Sequence, residues 1–218
     1  MLFEDHFMRM ITQAIAALLK IVGLRQAGQY EQAQVAIDQT LEGLLGLKAD
    51  LIKSLDDEAL LRSVTLNGQV DMPRLEIISD LFCEQGEIYA AQGKMAESRE
   101  SFRRALFGYL ETGLASESGE LNPELNQKIT NIISILKAEN LSDEALWALF
   151  CYADQVGDYT QAEQALEHLA NRPGVIADLQ PEIVAFYERL SDLNPDELAR
   201  SGFNREWASR KLAQAKGM

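Results

Sequence analysis

Three six-residue segments of this chain align without a gap: Gly28-Gln29-Tyr30-Glu31-Gln32-Ala33, Gly93-Lys94-Met95-Ala96-Glu97-Ser98 and Gly157-Asp158-Tyr159-Thr160-Gln161-Ala162. Their glycines stand 65 and 64 residues apart, and each lies between two apolar stretches with helical spacing. Glycine accepts the left-handed backbone that ends one helix and starts a tight turn. A small residue five positions on lets the two antiparallel helices approach closely. Such a pattern requires helical hairpins and leaves little room for any other fold.

The rest of the sequence agrees. Phe7, Ile11, Ala14, Leu18, Ile21 and Leu24 recur at steps of three and four, which predicts an amphipathic helix over residues 5–26. Helix starts are punctuated. Asp56 and Ser142 are capping residues before acidic first turns, and Leu141 and Leu146 are placed as a hydrophobic staple around Ser142. Asn122-Pro123 and Asn194-Pro195 each put a capping Asn before a first-turn Pro. Arg62–Leu66 is the best strand candidate, but no hairpin partner is evident beyond Asn67-Gly68. Residues 66–73 and 112–121 read as loops, the second as the most mobile segment. The expectation is an all-α chain of about nine to eleven helices.

Against this pattern the middle copy resembles a tetratricopeptide repeat, a helix-turn-helix unit. Phe82, Gly86, Tyr89, Gly93, Ser98, Phe102 and Ala105 stand at that family's large, small, aromatic, turn, small, aromatic and small positions. The third copy keeps Gly157, Tyr159, Ala162 and Leu166, with Phe150 at the small position of its first helix. The first keeps Gly28, Tyr30, Ala33, Ile37 and Leu41, with Ile21 at that position. The resemblance implies one helical-repeat domain over residues 1–218, with pairs near 14–46, 79–111 and 143–171 and C-terminal helices over 178–216. A regular array repeats every 34 residues; here extra helical segments over 49–64, 122–138 and 178–191 are inserted, giving a superhelical or a compact arrangement. The opening Asp5–Gln13 is also similar to the head of a small bacterial family of uncharacterised proteins.

Charge and composition narrow the function. The chain carries 34 acids and 20 bases, a net charge of −14, with the acids spread along it. Nucleic-acid binding needs clustered Lys and Arg to neutralise phosphates, and the densest pairs, Arg103-Arg104 and Arg210-Lys211, read as ordinary helix surface. The apolar run Ile15–Leu24 is interrupted by Lys20 and is about half the ~20 residues a membrane span needs. Acids at Glu4 and Asp5 stand where a secretion signal has bases. The expectation is a cytoplasmic protein without a nucleic-acid or membrane partner. Cys83 and Cys151 sit in apolar stretches and read as inert buried thiols. The two histidines, His6 and His168, are far apart and read as surface residues. No catalytic constellation, metal-ligand spacing or cofactor motif emerges.

In the family that the repeat resembles, the first helix of each pair lines a groove for a peptide. Carried over residue by residue, the groove positions are Leu18, Val22 and Arg25; Cys83, Glu87 and Ala90; and Trp147, Cys151 and Asp154. This set lacks the Lys/Asn/Arg combination with which some relatives clamp a peptide carboxylate. The resemblance implies a non-enzymatic scaffold for a protein or peptide partner. Two alternatives stay open: a homodimer through the N-terminal helix with Leu2, Phe3, Phe7, Met8 and Met10, and a small-molecule sensor or enzyme with a pocket between repeats.

Overall fold

The computed structural model describes residues 2–115, 122–172 and 176–217, with side chains from Met8 onward apart from Glu139 and residues 176–178. The expected mobile segment therefore lies largely outside the described residues. The chain divides into two compact units: residues up to Ala115 with Asn122–Leu136, and the remainder from Lys137.

The first unit is built on two long helical hairpins. Helix α1 (Leu2–Gln26) pairs with α2 (Tyr30–Leu45), and α5 (Met72–Ala91) pairs with α6 (Met95–Leu114). Both α1 and α2 pack on α5. Between the hairpins run two short helices, α3 (Ala49–Ser54) and α4 (Asp57–Ser63), and a two-residue-per-strand hairpin, β1 (Thr65–Leu66) with β2 (Gln69–Val70). Helix α7 (Pro123–Leu136) packs on α6. In the second unit, α8 (Asp143–Gln155) pairs with α9 (Tyr159–Ala170), and α10 (Ile176–Asp192) packs against α9 and α12 (Arg205–Lys216). The short α11 (Pro195–Arg200) precedes α12. The described residues thus contain twelve α-helices and almost no strand, an all-α protein.

All three repeat glycines adopt positive φ: 71° at Gly28, 74° at Gly93 and 76° at Gly157. The turns are superimposable in their hydrogen bonds. The glycine amide donates to the carbonyl three residues back (Arg25, Ala90, Asp154), and the next amide reaches five residues back (Leu24, Tyr89, Ala153). These bonds satisfy carbonyls that a helix end otherwise leaves unpaired. The residues five positions on, Ala33, Ser98 and Ala162, are all buried. The middle pair shows how close the approach is. A Cβ on Gly86 would stand 2.9 Å from the Phe102 ring, and one on Gly108 would stand 2.0 Å from Ser79 Oγ.

The expected caps form. Asp56 accepts from the Ala59 amide at 2.7 Å, Ser142 from Ala145 at 3.2 Å, and Asn194 from Glu197 at 2.9 Å. Asn122 accepts from Glu124 and Leu125.

Four expectations need correction. Residues 66–73 are not a simple loop. Asn67 and Gly68, with φ of 53° and 79°, close a hairpin in which Thr65 pairs with Val70 and Leu66 with Gln69. Helix α6 continues through Thr112 and the buried Gly113, so the loop starts later than residue 112. Arg104 is buried, 7% exposed, and is not ordinary helix surface. His168 is half-buried rather than solvated. The sequence reading also missed a fourth turn of the same kind: Gly202, φ 78°, donates to Ala199, and Phe203 donates to Leu198.

Candidate functional site

Six of the nine expected groove positions lie in the first unit. Leu18, Val22 and Arg25 on α1, and Cys83, Glu87 and Ala90 on α5, belong to helices packed on one another, and all six are half-buried. Arg25 fixes the pairing. Its Nε donates to Glu84 Oε2 at 2.6 Å and its Nη2 to Oε1 at 3.2 Å, a forked contact that holds α1 to α5. Hydrogen bonding to Glu84 raises the Arg25 pKa despite partial burial, and Glu87 adds to the effect. Across the two helices, Arg25 thus faces the carboxylates of Glu84 and Glu87.

The remaining three positions lie on α8 in the second unit and are also half-buried. The Trp147 ring centroid stands 5.0 Å from that of Phe150. Asp154 is ion-paired with Arg189 of α10; burial raises its pKa, and Arg189 opposes the rise. Neither cysteine is poised for attack. Burial, with Glu84 and Glu87 beside it, pushes the Cys83 thiol up to about 12; burial and Asp154 push Cys151 up to about 11. Both remain neutral thiols near pH 7, whereas nucleophilic chemistry requires the thiolate. Among the described residues no group of three or more His, Cys, Asp or Glu could hold a metal ion. The His6 side chain, considered with Glu4 and Asp5, lies outside the described residues.

Sequence reasoning missed three polar clusters, each assembled from distant residues. In the first, Arg104 donates to the carbonyls of Ile52, Lys53 and Leu55 and so caps the C-terminal end of α3. Its neighbour Arg103 pairs with Asp57 in the first turn of α4. The signal was present: Arg104 stands three after Ser101 and four before Gly108, both buried. The second ties α7 down. Lys128 Nζ lies 2.9 Å from Asp80 and 3.3 Å from Glu76, over the ring of Tyr109, whose hydroxyl donates to Asp80 at 2.5 Å. In the third, Glu163 of α9 accepts from Tyr187 of α10 at 2.5 Å and pairs with Lys211 of α12 at 2.5 Å.

Beside the first cluster is a cleft of about 310 Å³ between α3, α5 and α6, lined by Lys53, Gln85, Tyr89, Glu97, Ser101 and Arg104 among others. Gln85 is 5% exposed. Its Oε1 accepts from Ser101 at 3.3 Å, while its Nε2 is buried without a hydrogen-bond partner among the described residues.

Hairpins closed by alike glycine turns, each unit braced by ion-pair clusters between its own helices, define an all-α helical-hairpin protein. Over its whole length, residues 1–218, the chain matches the family of unknown function DUF6483 and belongs to it. No curated protein and no solved structure matches the chain. Among the described residues, no helix is long and apolar enough to cross a membrane.

Proposed function

We propose that this protein is a non-enzymatic scaffold of tetratricopeptide type that binds a segment of another protein along its first helices. The observation that carries the reading is the α1–α5 face. Two first helices lie together, separated in sequence by an intact glycine turn, and present six half-buried groove positions. Half-buried side chains of mixed character suit peptide recognition, because they are held in place yet retain surface for a partner.

Site-directed photo-crosslinking tests this. A photoreactive phenylalanine at Leu18 or Val22 should capture the same cellular protein, and the same probe at the exposed Asn131 of α7 should not. Equal capture at all three positions, or none at any, would remove the reading, above all if a substrate screen then found turnover.

A second reading, a small-molecule pocket, is favoured by one observation. The unpartnered Gln85 Nε2 in the cleft between α3, α5 and α6 demands an acceptor. Native mass spectrometry decides it: a molecule retained by the wild type and lost in Gln85→Met supports the pocket, and a bare chain removes it.

A further inference from the structure

The tip of the β1–β2 hairpin brings together two groups that react with each other. Asn67 is one of eight asparagines in the chain and the one that a glycine follows. An asparagine side-chain amide is open to attack by the main-chain nitrogen of the next residue, and glycine leaves that nitrogen unshielded because it has no Cβ. Asn67 and Gly68 are both exposed. A Cβ built on Gly68 meets nothing within 4 Å, so the tip stands clear of the packed helices. Among the described residues neither the Asn67 side chain nor the Gly68 amide makes a hydrogen bond. Other asparagines are held or hindered. Asn122 and Asn194 cap helices and precede prolines, which have no N–H to attack with. Asn204 caps α12, and the Asn171 side chain donates to the Glu167 carbonyl at 2.9 Å.

The strands restrain this tip weakly. Thr65 pairs with Val70 and Leu66 with Gln69, and a lone two-stranded hairpin is marginally stable. Its base is firmly held: the Asp71 amide donates to the carbonyl of the buried Val64 at 2.9 Å, and the Asp71 side chain caps α5 at Arg74. The tip can therefore open while the base stays in place. We propose that Asn67 is a spontaneous modification site at which the folded chain forms isoaspartate, with solvent water as the co-reactant. In the open tip the Gly68 nitrogen attacks Asn67 Cγ. The new bond closes a five-membered succinimide as the Cγ–Nδ2 bond breaks, and the Gly68 amide proton leaves with the ammonia. Water then adds to one ring carbonyl, that carbon's bond to the ring nitrogen breaks, and the nitrogen regains a proton. Opening at Cγ gives aspartate. Opening at the main-chain carbonyl routes the backbone through Cβ and Cγ, which is isoaspartate; neither step is a redox change. Isoaspartate adds one carbon to a two-residue turn, and turn length sets the register of a hairpin, so the pairing above the base is lost. A carboxylate also joins a chain of net charge −14.

The test incubates the full chain in warm neutral buffer made with heavy-oxygen water, beside a synthetic peptide of residues 62–72, and follows both by peptide-mapping mass spectrometry. The fragment containing Asn67 should lose ammonia and take up heavy oxygen at a rate within about ten-fold of the peptide's, because opening a marginal hairpin costs no more than about 1.4 kcal/mol. Electron-transfer fragmentation should find isoaspartate among the products, and an isoaspartyl methyltransferase should label the same fragment. Asn122, Asn171, Asn194 and Asn204 should stay unmodified over that time. Asn67→Gln, whose longer side chain must close a slower six-membered ring, should remove both signals. In the modified chain, hydrogen exchange should show protection lost at Gln69 and kept at Asp71. A rate more than about ten-fold below the peptide's overturns the proposal. So does an equal gain at any of the other asparagines, deamidation without isoaspartate, or Gln69 protection that survives the modification.

Discussion

Adding one methyl group at Gly108 should loosen the α5–α6 pair, and removing one hydroxyl at Ser79 should restore it. A Cβ at Gly108 would lie 2.0 Å from Ser79 Oγ, 3.3 Å from Ser79 Cβ and 3.4 Å from Leu75 Cδ1. Only the first distance is prohibitive. Ser79 is buried on α5 and donates to the Leu75 carbonyl at 2.8 Å, so the hydroxyl cannot move away without losing that bond or pushing the helices apart. Overpacking of this kind costs about 1–3 kcal/mol. Replacing Gly by Ala inside a helix returns about 1 kcal/mol. A 2.0 Å approach belongs in the upper part of the overpacking range, about 2–3 kcal/mol, so Gly108→Ala should destabilise the first unit by about 1–2 kcal/mol. Ser79→Ala alone should be nearly neutral, because back-bonding of Ser to the preceding turn adds little to a helix. In the double variant the remaining approaches are tight but tolerable, and stability should return close to wild type. The cycle thus predicts a favourable coupling of about 1–2 kcal/mol.

Hydrogen exchange of α5 and α6 amides in all four proteins measures this locally. Fluorescence cannot substitute, since both tryptophans, Trp147 and Trp207, lie in the second unit. A neutral Gly108→Ala, or a double variant no better than that single one, would refute the close approach.

Two further outcomes follow from the same geometry. Gly93→Val should destabilise the middle turn by about 1 kcal/mol or more, purely through the backbone. Gly93 has φ 74° and nothing within 4 Å of an added Cβ, so Gly93→Asn should cost less in urea denaturation. The second outcome is alkaline. Burial raises the phenol pKa of Tyr109, with Asp80 adding to it, and burial then the Glu163 hydrogen bond raises that of Tyr187, from the usual 10.0. The folded chain therefore keeps protons that the unfolded chain releases. This contribution is complete below pH 10 and falls above it by about 1.4 kcal/mol per pH unit for each phenol. Absorbance at 295 nm should show both titrating only as the chain unfolds, and early ionisation of both would contradict their burial.

What the sequence by itself determined about this protein is what acts within a few residues. A cap bonds an amide three positions on, and a glycine turn bonds carbonyls three and five back, so Asp56, Ser142, Asn194, Gly28, Gly93 and Gly157 were legible. The small hairpin escaped although Asn67-Gly68 announces it, because strands of two residues carry no periodicity to read. Gly113 suggested a break and instead continues α6, where burial outweighs its weak propensity.

Of the candidate site, the repeat resemblance put Leu18, Val22 and Arg25 on one first helix and Cys83, Glu87 and Ala90 on another. Only the tertiary structure decided that the two helices are neighbours. Arg25 meets Glu84 across 59 residues, and Arg104 reaches the end of α3 across about 50. Such pairs depend on which helices pack together, and the closing of long loops leaves no local trace in a sequence. Propensity and capping act through the nearest turns of chain, whereas the ion pairs that join helices depend on the whole packing arrangement.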